Sequence, residues 1–226
     1  MNWILDNLDL MLELTLQHIR LSLPPIILGF LISVPLGWVA YRFQLTRGFL
    51  LTVAGLLYTI PSLALFVILP PILGISFLSE INITIALTIY AVAILTRSVA
   101  DALGSVDPAV RDCATAMGYG PWRRFWTVEF PLAGPVTLAG LRVAAVSTVS
   151  LVTVGILIGV QSLGYLFTNG LQRRILVEVF AGVVLVVLVA LLIDALLAMA
   201  GRRLMPWAPR PRSSRRLALR GSAAPE

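Results

Sequence analysis

From Gly48 to Ser79 the chain runs for 32 residues without a charged side chain. A helix needs roughly 20 apolar residues to cross the ~30 Å hydrocarbon core of a bilayer, so this run is long enough to span one with residues to spare. Inside lipid every backbone N–H and C=O must find its partner within the protein, which makes such runs helical. Other apolar runs follow the same rule, and the sequence predicts an all-α integral membrane protein of about five transmembrane helices. We place the spans at about 19–41, 49–70, 81–100, 135–159 and 177–200. Pro61, Pro70 and Pro71 lie within the long run, which is read as one span to about Leu69 and then a turn. Pro35 and Pro61 are expected to kink the first and second spans and free carbonyls there.

Composition supports lipid as the main solvent: 58% of residues are hydrophobic and 12% charged, with a mean hydropathy of +0.94. All 17 basic residues are arginines. The chain therefore lacks the lysine of a Walker phosphate-binding loop or of a Schiff base, and any ATP that drives it binds to another subunit. The single cysteine, Cys113, allows no internal disulfide, and the single histidine, His18, has no Cys or acidic cluster near it in sequence, so no metal site is expected. The net charge of +6 could suggest nucleic acid, but the arginines gather beside apolar spans and in the tail, where membrane topology accounts for them.

Five spans put the termini on opposite sides. One side collects Arg42, Arg47, Arg111, Arg123, Arg124 and the seven arginines from Arg202 to Arg220, the other only Arg20, Arg173 and Arg174. By the positive-inside rule the N-terminus lies outside and the C-terminus in the cytoplasm, as for a multi-pass protein of a bacterial plasma membrane. The opening residues are acidic (Asp6, Asp9, Glu13) where a secretory signal carries positive charge, and are expected to remain. Residues 1–18 read as an interfacial helix with Ile4, Leu8, Met11 and Leu12 on one side, or equally as an extension of the first span. Residues 19–201 are read as the transmembrane domain, and 202–226, rich in Arg, Pro and Ser, as a disordered tail.

The loop 104–131 carries the densest local signals. Asp107 can cap a helix, Pro108 suits its first position, and Gly118 can end it in a left-handed conformation. Val110, Cys113, Ala114 and Met117 fall at i, i+3, i+4, i+7, with Arg111, Asp112 and Thr115 pointing away. This small-residue stripe suits the close approach of another protein, or packing on the chain's own helices. Gly120 and Pro121 open a second short helix, whose Trp122, Phe125 and Trp126 share a face, with Arg123 and Arg124 turned towards lipid phosphate. Pro131 then turns the chain back into the membrane.

This segment resembles the loop of ABC importer permeases, which reads E-A-A, three residues, G, nine residues, then I-x-L-P. Asp112, Cys113 and Ala114 stand at the E-A-A positions, Gly118 at the glycine, and Val128, Phe130 and Pro131 at the closing I, L and P. The resemblance implies a type I ABC importer (MetI-like) permease fold. Its ATPase-coupling loop would include Asp112, Cys113, Ala114, Met117, Gly118 and Pro131, seated in a groove of the ATPase. It also implies ABC ATPase subunits that hold ATP and Mg2+, a second permease subunit (identical or homologous), an extracellular solute-binding protein, and no cofactor in this chain.

Residues 17–200 are similar to the glycine betaine, carnitine and choline branch, with QHIRLSLPPIILGFLISVPLGWVAYR, YTIPSLALFVILPPILGI and VEVFAGVVLVVLVALLIDALLA as its spans. The segment LIGVQSLGYLF departs from it: Gln161 and Ser162 replace two glycines, while Gly159 and Gly164 remain. Methionine and other amino-acid permeases share the five-span plan and are the alternative. A quaternary ammonium group is held by aromatic faces. The pathway candidates are Tyr58, Pro61, Tyr90 and Tyr165, with Phe167 beside them, residues that also serve as packing or interfacial anchors.

Among intramembrane charges, Arg97 and Asp101 are four apart and could pair. Arg142 could snorkel to the cytoplasmic side or meet an acid of a partner, and Glu178 and Asp194 flank the last span in solvent or interface. A secondary transporter would carry a mid-membrane acidic coupling residue and often an inverted repeat, and an embedded enzyme would carry clustered His, Asp or Ser chemistry. The sequence suggests neither.

Overall fold

The computed structural model describes residues 2–208, and among these all regular structure is helical. The elements are α1 (Asn2–Asp6), α2 (Leu8–Arg42), α3 (Gln44–Thr59), α4 (Ser62–Leu73), α5 (Glu80–Gly104), α6 (Pro108–Ala116), α7 (Pro121–Arg124), a π-helical turn (Phe125–Glu129), α8 (Phe130–Val152), a 3-10 turn (Thr153–Ile158), α9 (Gly164–Gln172) and α10 (Leu176–Leu204). Four helical stretches are long and apolar enough to cross a membrane, and the bent pair α3–α4 makes up to a fifth.

Residues 1–18 include α1 and the first turns of α2. The helix runs unbroken for 35 residues from Leu8, about 52 Å at 1.5 Å per residue, so its first turns extend beyond a hydrocarbon core. Its inner face there differs from the expected one: Leu14 is buried, Trp3, Leu10 and Met11 pack beside it, and Leu8 and Leu12 are exposed.

Helix α5 is the axle of the bundle, with α2, α8, α3 and α4 packed around it. The Ser79 side chain caps it by accepting the Ile81 N–H at 3.1 Å. Buried Asn82 then donates to the Phe66 carbonyl at 2.9 Å and ties α4 to α5.

The second span does not have the expected shape. Instead of kinking within a continuous helix, the chain breaks between Thr59 and Ser62, and α3 and α4 meet at 105°. The reason is local. A proline disfavours helical backbone in the residue before it, and Ile60 is extended at ψ 128. Pro70 and Pro71 make no turn, because they lie inside α4; the helix ends at Gly74, whose φ of 67° closes it.

The fourth span also begins earlier than expected. Pro131 sits in the first turn of α8 and the helix passes through it, so that Pro121–Ile158 forms one continuous stretch. The second short helix of the loop is therefore the root of this span and no separate interfacial element. At the other end α10 runs to Leu204, taking in the first three residues assigned to the tail. From residue 209 onward that tail lies outside the described residues.

Candidate functional site

The segment joining α5 to α8 is built largely by local chemistry. The Asp107 carboxylate accepts the Ala109 N–H at 2.8 Å, Pro108 fills the first turn, and Gly118 at φ 83° leads the chain off α6. The expected stripe divides, with Ala114 turned inward and Val110, Cys113 and Met117 turned outward. Ala114 is buried, the Arg111 guanidinium lies 5.5 Å over the Tyr41 ring, and the exposed Thr115 accepts a hydrogen bond from Arg124 at 2.7 Å. Val110, Cys113 and Met117 face outward with Asp112, Met117 at 69% exposure. An outward row of apolar and small side chains on a capped helix suits a second protein better than water.

Arg124 holds α6 to the bundle. Its Nε donates to Glu129 Oε1 at 2.6 Å while its Nη1 reaches Thr115, and the Glu129 side chain is only 3% exposed. Arg124 is thus an internal clasp and not a lipid-phosphate contact. Trp122, Phe125 and Trp126 do gather on one side, joined by Trp38 and Phe130 through edge-to-face and tilted rings 4.9–6.3 Å apart. The Pro131 carbonyl accepts the Trp207 indole N–H at 3.2 Å, which fastens the end of α10 to the start of α8. Beside α6, Arg42, Arg47, Arg111, Arg124 and Asp112 line a cleft of about 570 Å³.

Three of the four pathway candidates come together. Pro61 breaks the second span, the Tyr90 hydroxyl donates to the Ile60 carbonyl freed by that break, and the Tyr58 and Tyr90 rings meet edge to face at 6.1 Å. Tyr90 is buried and Tyr58 half exposed. Tyr165 is elsewhere, packed against the cluster of Leu163, Leu166 and Val189, and the Phe167 ring lies against Gly182 of α10. Tyr90→Phe removes the donor from a carbonyl at the break and should cost about 1 kcal/mol. A lowered unfolding midpoint in detergent with an intact ring contact is the expected result, and an unshifted midpoint would show that the bond contributes nothing.

The charged residues are paired differently from the expectations. Asp101 accepts from Arg47 of α3 at 3.1 Å and not from Arg97, which forms no ion pair among the described residues. Arg20 and Glu80 meet at 3.2 Å at the opposite end of the bundle. Glu178 is buried and accepts from Asn169 at 2.6 Å, so it is not solvated. Arg142 finds its acid within the same chain: its Nε and Nη2 donate to the two oxygens of Asp194, both at 2.6 Å. His18 is buried, its Nε2 3.0 Å from the Val149 carbonyl. Apart from Asn169 and Glu178, which are nine residues apart, these pairings were missed because their partners stand 52 to 131 residues apart, and no local signal links them. Ser162 is buried; it donates to the Val152 carbonyl and accepts the Gly164 N–H.

A family model described as the binding-protein-dependent transport system inner membrane component matches residues 29–206. The chain is 32% identical over 201 residues to the osmoprotectant import permease protein OsmW of Salmonella typhimurium, covering 87% of this chain and 92% of that one. It is 32% identical over 192 residues to the choline transport system permease protein OpuBB of Bacillus subtilis, covering 85% and 87%. It is also 32% identical over 205 residues to the carnitine transport permease protein OpuCB of Listeria monocytogenes, covering 91% and 93%. Among solved structures, an inward-facing conformation of the MetNI methionine ABC transporter superposes with a TM-score of 0.73 at 20% identity, over 91% of this chain and 99% of that one. At that identity the likeness concerns the fold alone.

Proposed function

This chain belongs to the binding-protein-dependent transport system inner membrane component family, and from that premise we propose that it carries a small quaternary ammonium osmoprotectant of the glycine betaine, carnitine or choline type through the membrane. The relatives named for osmoprotectant, choline and carnitine transport support that solute class. The likeness to a methionine transporter does not favour the amino-acid reading, since it reaches only the fold.

The observation that carries the mechanism is α6, a capped helix clasped to the bundle by Arg124 with Val110, Cys113 and Met117 turned outward. In this reading α6 docks on an ATPase subunit, which binds ATP and Mg2+. Closure of two such subunits pushes α6, and the Arg124–Glu129 clasp passes that displacement to α8 as a rigid-body movement. Two permease chains enclose the path, and a binding protein delivers the solute at the end of the bundle remote from α6. The arginines lining the cleft beside α6 support a cytoplasmic position for that end, and with it an N-terminus outside. Reporter fusions at the two ends of 1–208 test the orientation, and an active cytoplasmic reporter on the N-terminal side would reverse it.

Gly118 offers a direct test of coupling. At φ 83° a side chain costs about 1–2 kcal/mol, and Gly118→Val should shift α6 and lower ATP-driven uptake by roughly tenfold or more. The variant should still co-purify with its partner permease, and undiminished uptake would count against coupling through α6. Binding of glycine betaine, choline, carnitine and methionine to the partner binding protein then tests the solute class, with methionine alone as the adverse result.

A further inference from the structure

Arg142 and Asp194 form a bidentate ion pair between α8 and α10. Arg142 stands 12 residues after Phe130 and Asp194 10 residues before Leu204, about 18 Å and 15 Å along their helices. Both lie within the long apolar stretches Pro121–Ile158 and Leu176–Leu204 that are able to cross a membrane. The pair is not sealed inside the chain, since the Arg142 side chain is 40% exposed and that of Asp194 25%. Charges in such stretches are costly against lipid, and in membrane proteins they face the protein interior or water.

The surface beside the pair can be identified. The exposed residues of α8 are Leu132, Val136, Ala139, Val143, Val146 and Ser150, spaced by three and four so that they share one face. The opposite face of α8 packs through Ala145 and Val149, in one cluster with Ile26 of α2 and Ala190 and Ile193 of α10. The open stripe is thus turned away from α2, with the ion pair at its edge. It is uncharged, with three valines, one leucine, Ala139 and Ser150.

We propose that this stripe and the Arg142–Asp194 pair line the aqueous path between two permease chains, and that the pair receives the charged ends of the solute. The inference rests on the transport reading above and deepens it. A solute with a quaternary ammonium group and a carboxylate matches both members: its carboxylate takes up the guanidinium and its cation faces the aspartate. The pair then serves as a closed clasp in the empty path that the solute opens, so no unpaired charge is left in the membrane at either stage.

Two measurements on the complete transporter in proteoliposomes test this. Val143→Cys in a Cys113→Ser background should be labelled by a charged, membrane-impermeant thiol reagent, with labelling slowed during transport of glycine betaine. Labelling only by a lipid-soluble maleimide would place the stripe against lipid. Disulfide formation between copies without aqueous labelling would place it in a dry seam, and either result overturns the proposal. Because removal of one charge alone could prevent folding, the second variant is the neutral, near-isosteric double change Arg142→Gln with Asp194→Asn. It should co-purify with the ATPase and raise the KM for glycine betaine by at least about tenfold, the loss of a charge-assisted contact. An unchanged KM would make the pair a structural clasp only. If the unaltered transporter carries none of the three quaternary ammonium compounds, the solute reading fails, while the cysteine labelling still decides whether the stripe lines water.

Discussion

Arg124→Ala is expected to reduce ATP-driven uptake to background while the bundle still inserts and pairs. The side chain makes two contacts that nothing else in the segment can replace: Nε to Glu129 at 2.6 Å and Nη1 to Thr115 at 2.7 Å. Its loss strands the Glu129 carboxylate at 3% exposure. Breaking one partner of a buried pair typically costs about 3–5 kcal/mol, and here the cost falls on the junction through which α6 would move α8. Arg124→Lys should recover only part of the activity, because an ammonium cannot reproduce the planar fork that spans two acceptors. Glu129→Gln keeps the shape, removes the stranded charge and should be milder than Arg124→Ala. Uptake and ATPase turnover measured together provide the check. Wild-type uptake by Arg124→Ala would show that α6 moves α8 by another route.

The legible part of this segment was the part governed by neighbours in sequence. Asp107, Pro108 and Gly118 act within four residues of themselves, so the limits of α6 could be read directly. The direction its faces point could not. A helical wheel gives periodicity but no phase relative to the rest of the molecule, and the phase here is set by Arg124 and by the Tyr41 ring, which give Thr115 and Arg111 their partners. Ala114 alone is therefore buried, and Val110, Cys113 and Met117 remain exposed beside Asp112.

The long apolar run illustrates the complementary difficulty. Hydropathy sums over a window and stays high across Thr59, Ile60 and Pro61, so it cannot separate one span from two helices at 105°. The break is visible only in the backbone rule for residues that precede proline. Pro70 and Pro71 would predict a break by the same rule yet lie in α4, which shows that sequence alone ranks such sites poorly. The ion pairs form a third category. Arg97 and Asp101 satisfied the spacing for a helical pair, but Arg47 outcompetes Arg97 from another helix. The Arg142–Asp194 contact depends wholly on α8 and α10 being adjacent.

Gly37→Leu is expected to leave no assembled permease. Between two helices in lipid there is no hydrophobic gain from association, and stability depends on close packing that small residues permit. Helix α2 meets α5 through Gly29, Ser33 and Gly37, four residues apart and all buried. A Cβ at Gly37 would lie 2.6 Å from the Val99 side chain and 3.1 Å from the Thr96 carbonyl, and one at Gly29 would lie 2.4 Å from the Ala91 Cβ. Forcing extra atoms into a packed site costs about 1–3 kcal/mol, and a leucine adds four carbons where the first already collides. Extraction in mild detergent should yield aggregate in place of a monodisperse complex, with uptake at background. Gly29→Ala is the informative milder case, since its clash is with a single methyl group. Ala91→Gly removes that methyl, so the double variant should recover much of the yield lost by Gly29→Ala alone, a coupling expected only of side chains in contact. If the two changes simply add, α2 and α5 do not meet at this point, and the axle of the bundle must be placed elsewhere.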